Sequence, residues 1–289
     1  IIMKQLNLFI ELTRLKKPIG FMLLFWPCAW GLTLAYDFSS NLNNYFFYLM
    51  LFFLGSVLMR SAGCIVNDIL DKEFDKKVSR TKNRPIASEK ISIKLGLFYT
   101  AFLCFLALLV LLNFNTFTIL LALGSMPLAF SYPLMKRYTY WPQLFLGFTF
   151  NYGLILGWVC IKNEIELIPI ILYIGAIFWT LGFDTIYGYQ DIKDDEIIGV
   201  KSTSIRFKKN PKLFLIICYS ILMASLIIVG FFMKFNSMFY IFLSIPIVHL
   251  FFYQIYNFDF KNPKNSLKIF KTNNLFGAIV LFNILIGKV

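Results

Sequence analysis

Between Arg60 and Pro85 the chain reads RSAGCIVNDILDKEFDKKVSRTKNRP. The stretch follows a long apolar run and gathers four acids, Asp68, Asp71, Glu73 and Asp75, against a train of cations. Asn67, Asp68, Asp71 and Asp75 write N-D-x-x-D-x-x-x-D. On an α-helix, Arg60 and these four residues fall within roughly a 100° arc. Carboxylates crowded on one face repel unless positive charge sits between them. Hard divalent cations take oxygen ligands, and Mg²⁺ typically uses one or two carboxylates and completes its shell with water and substrate phosphate. Lys76, Lys77, Arg80, Lys82 and Arg84 follow at once and suit the phosphate end of such a substrate. A solvated charged loop between two membrane helices is the plainer reading of an isolated D-x-x-D. The Asn, the third Asp and the R-T-x-x-R-P tail argue against it.

The flanks of this stretch settle the fold class. Hydrophobic residues make up 58% of the 289 residues and charged ones 15%, a low charge content for a soluble protein. A spanning helix needs about 20 apolar residues. Nine segments qualify, over about 19–38, 45–66, 95–113, 115–133, 141–160, 168–186, 212–232, 238–256 and 272–287. The expectation is an all-α polytopic membrane protein, one integral membrane domain over residues 1–289.

The net charge of +13 invites a nucleic-acid reading, but its distribution argues against one. Of 28 Lys and Arg, 24 lie in segments on one side, including Lys4, Arg14, Lys16 and Lys17. That asymmetry predicts a cytoplasmic N-terminus and, with nine spans, a C-terminus outside. Cys28, Cys64, Cys104, Cys160 and Cys218 all sit in or at the ends of apolar runs, which suggests neither a disulfide framework nor a zinc site. No cleavable signal pattern is expected, and Ile1-Ile2 before Met3 reads as a start-site artefact.

Several polar or aromatic residues have ordinary structural readings. Trp26 and Trp30, four apart in the first span, read as packing residues. Asn151 reads as an inter-helix hydrogen-bond partner. His249, the single histidine, reads as a satisfied core residue. The first acidic stretch should extend its span as helix to about Val78, with Pro85 ending any helix there. Pro133 and Pro142 bracket a short loop carrying Lys136 and Arg137. The cations of NFDFKNPKNSLKIFKTNN should anchor that loop at anionic membrane lipid.

A second informative stretch reads LGFDTIYGYQDIKDDEIIGVKSTSIRF. Asp184 lies in or near the end of a span, where an ionisable side chain is costly. Asp184, Tyr187, Asp191, Asp194 and Asp195 again share roughly a 100° arc of a helix. Lys201, Ser202 and Thr203 follow, as Arg80 and Thr81 follow the first cluster. Each copy is a span, an acidic helix end and a basic, hydroxyl-bearing loop. Four spans separate them, so both face the same side, as a weak parallel repeat.

Two such clusters could clasp Mg²⁺ ions and, through them, a diphosphate. Positive charge at the leaving oxygen makes a diphosphate a good leaving group. Departure from an allylic carbon leaves a stabilised cation, which an apolar intramembrane cavity would keep from water while holding an isoprenoid tail. A transporter of anionic or phosphorylated solutes is the competing class. Transporters usually place their site near the midplane, whereas these acids sit at helix ends.

KPIGxxLLxWPxxWG, RSAGCxxNDxxDxxxDxxVxRTxxRPxAS and LGFDTIYxxQDxxDDxxxGxKST together resemble the UbiA superfamily of intramembrane aromatic prenyltransferases, nearest the branch that prenylates 4-hydroxybenzoate. The motifs cover about a third of the chain. Ser88-Glu89 departs from the Ser-Gly expected there. The resemblance implies nine helices around a central cavity and Mg²⁺-dependent transfer of a polyprenyl group from polyprenyl diphosphate to the ring carbon ortho to the acceptor's hydroxyl, in ubiquinone biosynthesis. It implies a bacterial inner membrane, with the site facing the cytoplasm. On that pattern Asp68, Asp71 and Asp75 hold one metal with Asn67 adjacent, and Asp191 and Asp195 hold or orient the other. Arg80 and Arg84, with Lys82 and Lys201, hold diphosphate, and Tyr187 joins the substrate-binding set. Arg137 is expected at the benzoate carboxylate, with Arg60 as the alternative. Homogentisate, naphthoate, haem and glycerol-phosphate are the other acceptors the superfamily offers.

Overall fold

In lipid a backbone N–H or C=O finds no water, so each apolar run must satisfy its own hydrogen bonds by coiling into helix. The computed structural model describes residues 2–288, without the side chains of Ile2 and Lys4. The Ile1 start and the Lys4 charge thus lie outside the described residues. Those residues are helical and contain no strand. The elements are α1 (Ile2–Thr13), α2 (Ile19–Ala35), α3 (Leu42–Leu70), α4 (Lys72–Asp75), α5 (Ile93–Leu111) and α6 (Thr116–Ser131). There follow α7 (Met135–Tyr138), α8 (Pro142–Lys162), α9 (Leu167–Gly188), α10 (Ile192–Ile198), α11 (Thr203–Arg206) and α12 (Pro211–Phe232). Last come α13 (Ser237–Phe242), α14 (Ser244–Ile247), a wide π turn over Val248–Ile255, α15 (Pro263–Lys271) and α16 (Asn273–Lys288). Among the described residues, eight helical stretches are long and apolar enough to cross a membrane, and α2, at 17 residues, is a shorter apolar helix.

Turn chemistry sets the hairpins. Asn115 caps α6 by accepting from the Thr118 N–H at 2.8 Å, and its amide donates to the Val159 and Cys160 carbonyls at the end of α8. The tight α5–α6 turn is thereby pinned to a third helix. Close packing of α2 on α8 rests on glycine. A Cβ at Gly31 would lie 2.0 Å from the Leu154 carbonyl oxygen, and one at Gly157 would lie 2.3 Å from that of Cys28.

The ordinary readings of the inner polar residues hold, with one exception. Trp30 is fully buried, donates to the Gly277 carbonyl at 2.9 Å and packs 5.1 Å from Trp179. Trp26 donates to Asn274 Oδ1 at 2.9 Å. Asn151 donates to Thr180 Oγ1 at 2.7 Å, joining α8 to α9. The five cysteines are free. His249 is only half satisfied: Nδ1 lies 3.4 Å from Gln254 Nε2, and Nε2 has no partner.

Both acidic stretches break where continuous helix was expected. α3 stops at Leu70, and Asp71 takes φ −97°, ψ 6°, so the helix does not run on to Val78. α9 stops at Gly188, and Asp191 takes φ −116°, ψ 7°. An acid in this bridge-region conformation turns the chain while leaving a short helix to follow.

Candidate active site

The two breaks have the same local construction. Asp71 caps α4 and its carbonyl accepts from the Asp75 N–H at 2.8 Å; Asp191 caps α10 and its carbonyl accepts from the Asp195 N–H at 2.9 Å. Each membrane helix therefore ends in an Asp, a short helix and a second Asp four residues on. The weak repeat read from the sequence is present in the backbone at both places.

The loop after the first acidic end reaches the second. Arg80 Nε lies 2.9 Å from both carboxylate oxygens of Asp191, and Nη2 lies 2.5 Å from Oδ2. Arg80 Nη1 also donates to the Tyr187 hydroxyl at 3.3 Å, and the Ser79 N–H donates to Asp194 Oδ2 at 3.1 Å. Tyr187 in turn packs on Phe270 of α15, ring centres 4.6 Å apart.

At the first end each carboxylate faces a cation. Asp68 Oδ1 accepts from Arg14 at 2.6 Å and Arg84 at 3.1 Å; Asp75 Oδ2 accepts from Arg84 at 2.7 Å; Asp71 Oδ2 accepts from Lys136 at 2.5 Å. Asp68 and Asp71 are each 1% exposed, which makes loss of any one partner costly. Burial pushes the Asp71 and Asp75 carboxyls above the usual carboxylate range, against the opposing pull of Lys136 and Arg84 respectively. Asp195 is pushed up to about 6 by burial and the neighbouring Asp191 charge.

Among the described residues, no three acids, histidines or cysteines converge as a ready metal site. The residues nonetheless fit a hard cation. They offer carboxylate oxygens alone, and Asp71 Oδ1 is buried without any partner, the kind of donor Mg²⁺ takes.

Behind the charged ends, among α2, α3, α5, α6 and α8, lies a cavity of about 630 Å³. Its walls are apolar. Arg60 is the charged residue among them, its guanidinium 5.3 Å from the Phe150 ring centre and its Nε without a partner. A Cβ on Gly20, in the first turn of α2, would come within 2.9 Å of that Nε. Phe52 and Phe114 line the same cavity, their ring centres 4.8 Å apart.

The structure brings Arg80, Arg84, Tyr187, Asp68, Asp71, Asp75, Asp191 and Asp195 to one end of the bundle. It does not bring every sequence candidate there. Arg137 does not line the cavity: it is exposed, donates to the Leu70 carbonyl at 2.6 Å and lies over Phe74. Lys82 is exposed and forms no ion pair among the described residues. Lys201 reaches the Tyr138 carbonyl at 3.1 Å instead of the acids. Asn67 and Asp184 are half-buried. Arg14 and Lys136 are the two site residues not singled out from sequence. Arg14 opens the RLKKPIG run, and Lys136 stands beside Arg137 in the bracketed loop.

The sequence model of the UbiA prenyltransferase family matches residues 24–279. The chain belongs to that family. Among curated relatives of this UbiA member, 4-hydroxybenzoate geranyltransferase 2 of Lithospermum erythrorhizon is 41% identical over 288 residues, 99% of this chain and 92% of that one. The mitochondrial 4-hydroxybenzoate polyprenyltransferase of Homo sapiens is also 41% identical, over 98% of this chain and 76% of its own. In fold, the UbiA member superposes on a UbiA homolog from Aeropyrum pernix K1 with a TM-score of 0.75 at 21% identity, covering 93% of this chain and 98% of that one. A UbiA homolog from Archaeoglobus fulgidus bound to GPP and Mg²⁺ gives 0.70 at 18% identity, covering 97% and 98%. The chain is thus an integral membrane prenyltransferase.

Proposed function

We propose that this prenyltransferase moves a polyprenyl group from polyprenyl diphosphate to the ring carbon ortho to the hydroxyl of 4-hydroxybenzoate, the prenylation step of ubiquinone biosynthesis. The observation that carries the reading is the juxtaposition of two bridged acidic helix ends with a largely apolar cavity whose wall holds Arg60, its Nε without a partner. The names of relatives 41% identical support the acceptor. The lysine-rich side, by the positive-inside rule, is the cytoplasmic one.

Asp68, Asp71, Asp75, Asp191 and Asp195 are the residues that would hold Mg²⁺. Bound there, Mg²⁺ supplies positive charge that stabilises the diphosphate as a leaving group. Arg80, Arg84, Arg14 and Lys136 add fixed cations to the same surface. The C–O bond breaks with its electron pair going to the diphosphate. The apolar cavity walls keep water from the allylic cation while the ring carbon attacks it. The ring then loses the proton from that carbon and regains aromaticity.

Arg60, rather than Arg137, is assigned to the acceptor's carboxylate. Arg60 lines the cavity and its buried Nε has no partner, whereas Arg137 spends its donor on the end of α3. A guanidinium meets a carboxylate bidentately, and an unpaired buried donor gains most from that contact. The transporter reading gains no support, because the acids stand beyond the ends of α3 and α9 instead of at a midplane break.

The test is an acceptor panel with one prenyl donor in detergent extract, where no membrane barrier exists. 4-Hydroxybenzoate should be prenylated in preference to homogentisate, dihydroxynaphthoate and glycerol phosphate. Preference for any of the others would replace this acceptor.

A further inference from the structure

Most glycines in the spans are explained by contact. At Gly31, Gly153, Gly157, Gly175 and Gly277 a Cβ would fall 1.8–2.3 Å from an atom of a neighbouring helix. Gly55 and Gly63 on α3 are different. A Cβ on either would meet nothing within 4 Å, and unlike Gly124 of α6, which also meets no neighbour, both line the apolar cavity. Glycine inside a helix lowers helix stability relative to alanine, and here no close approach offsets that cost. What the two positions provide is bare backbone facing empty volume.

Their spacing gives the volume a direction. Gly55, Met59 and Gly63 recur every four residues on one face of α3, and all three line the cavity. Gly63 lies nearer the acidic helix end, and Gly55 lies about 12 Å further along the helix at 1.5 Å per residue. Beyond Gly55 the cavity meets Phe52 and Phe114. Phe114 also packs 5.6 Å from Tyr48. The turn that carries Phe114 is fixed by the Asn115 contacts to α8, so these rings form a set end wall.

We propose that Gly55 is the specificity-determining position for donor length: the tail of the prenyl diphosphate runs along the bare face of α3, past Gly63 and Gly55, toward the Phe52–Phe114 wall. This rests on the prenyl-diphosphate reading above. A side chain at position 55 then occupies the space of the distal isoprene units and leaves the proximal ones, the diphosphate and the acceptor untouched. The wall formed by α5 and α6 offers a competing path. Phe105, Leu108 and Leu123 line the cavity and are also exposed on the outer face. A tail that left between them before reaching Gly55 would not sense a change there.

The test compares wild-type protein with Gly55→Leu and Gly55→Phe, using 4-hydroxybenzoate and a ladder of donors from dimethylallyl and geranyl to geranylgeranyl and longer diphosphates. A hydrophobic-pocket change of this kind discriminates by roughly ten- to two-hundredfold. The expected result is retained kcat/KM for the shortest donors and a loss of that order for the longest, larger for Phe than for Leu. Gly55→Ala, which favours the helix and adds one methyl group, should be active on every donor and shift the profile least. An unchanged donor profile in the Leu and Phe variants would overturn the proposal, and so would equal loss on short and long donors in variants that fold like wild type. Wild-type protein that fails to prenylate 4-hydroxybenzoate with every donor of the ladder would instead overturn the underlying reading.

Discussion

Arg80 and Asp191, 111 residues apart in sequence, form a fork-on-carboxylate pair with three N–O separations of 2.5–2.9 Å. The pair joins the loop after one acidic helix end to the other acidic helix end. With the Ser79 N–H on Asp194 Oδ2 and Arg80 Nη1 on the Tyr187 hydroxyl, it ties the two halves of the site into one unit.

Because the pair acts as a unit, its members should not behave independently. Arg80→Lys keeps the charge but not the fork, and should lower kcat/KM by roughly tenfold or more, in line with the ~1.5–3 kcal/mol of a charge-assisted hydrogen bond. Asp191→Asn should cost at least as much. The double variant should be far from additive, with a coupling of about 0.5–3 kcal/mol in a double-mutant cycle. Additive losses would separate the two clusters.

Chelation should abolish activity, and Mg²⁺ should restore it. Asp71→Asn and Asp191→Asn should each need more Mg²⁺ for half-maximal rate and reach a lower plateau. The readout is rate against free Mg²⁺ in detergent. Full activity in chelator would remove the metal from the account.

Arg60→Ala should raise KM for 4-hydroxybenzoate by roughly ten- to a hundredfold, the range expected from losing a charge-assisted hydrogen bond, and leave KM for the prenyl donor nearly unchanged. Arg137→Ala should have the smaller effect on the acceptor. The reverse ranking in steady-state kinetics would return the carboxylate to Arg137.

Packing of α2 on α8 should be intolerant of one methyl group. Gly31→Ala places a Cβ 2.0 Å from a backbone oxygen of α8, where no flexible side chain can give way. Overpacking of this kind typically costs about 1–3 kcal/mol or more, and thermal unfolding in detergent should shift downward accordingly. An unchanged midpoint would mean that the helices part readily.

The spans were legible because hydropathy and backbone satisfaction leave a lipid-embedded chain few options. The nine predicted segments each overlap an apolar helix of the bundle. The acidic residues were legible as chemistry but not as geometry. A 3.6-residue period extrapolates a straight helix through Asp71 and Asp191, and nothing in the residue type says that each will cap a new short helix. Arg14 and Lys136 escaped because their partners, Asp68 and Asp71, lie 54 and 65 residues away. From sequence, the family resemblance and a short loop on the side of both acidic clusters point to Arg137; that Arg60 and not Arg137 lines the cavity depends on how the helices pack, which the loop's position does not show. The one motif departure has a backbone counterpart. Glu89, where glycine was expected, takes φ 61°, the left-handed region that glycine favours, and its exposed carboxylate pairs with Lys72 at 3.0 Å and Lys76 at 3.3 Å.

The most direct measurement is the structure of the product. Purified protein incubated with geranyl diphosphate, 4-hydroxybenzoate and Mg²⁺ should yield 4-hydroxybenzoate carrying the prenyl group on the ring carbon next to the hydroxyl, identified by NMR as a new carbon–carbon bond. A prenyl ether on the phenolic oxygen, free geraniol as the dominant product, or unreacted donor would contradict the account.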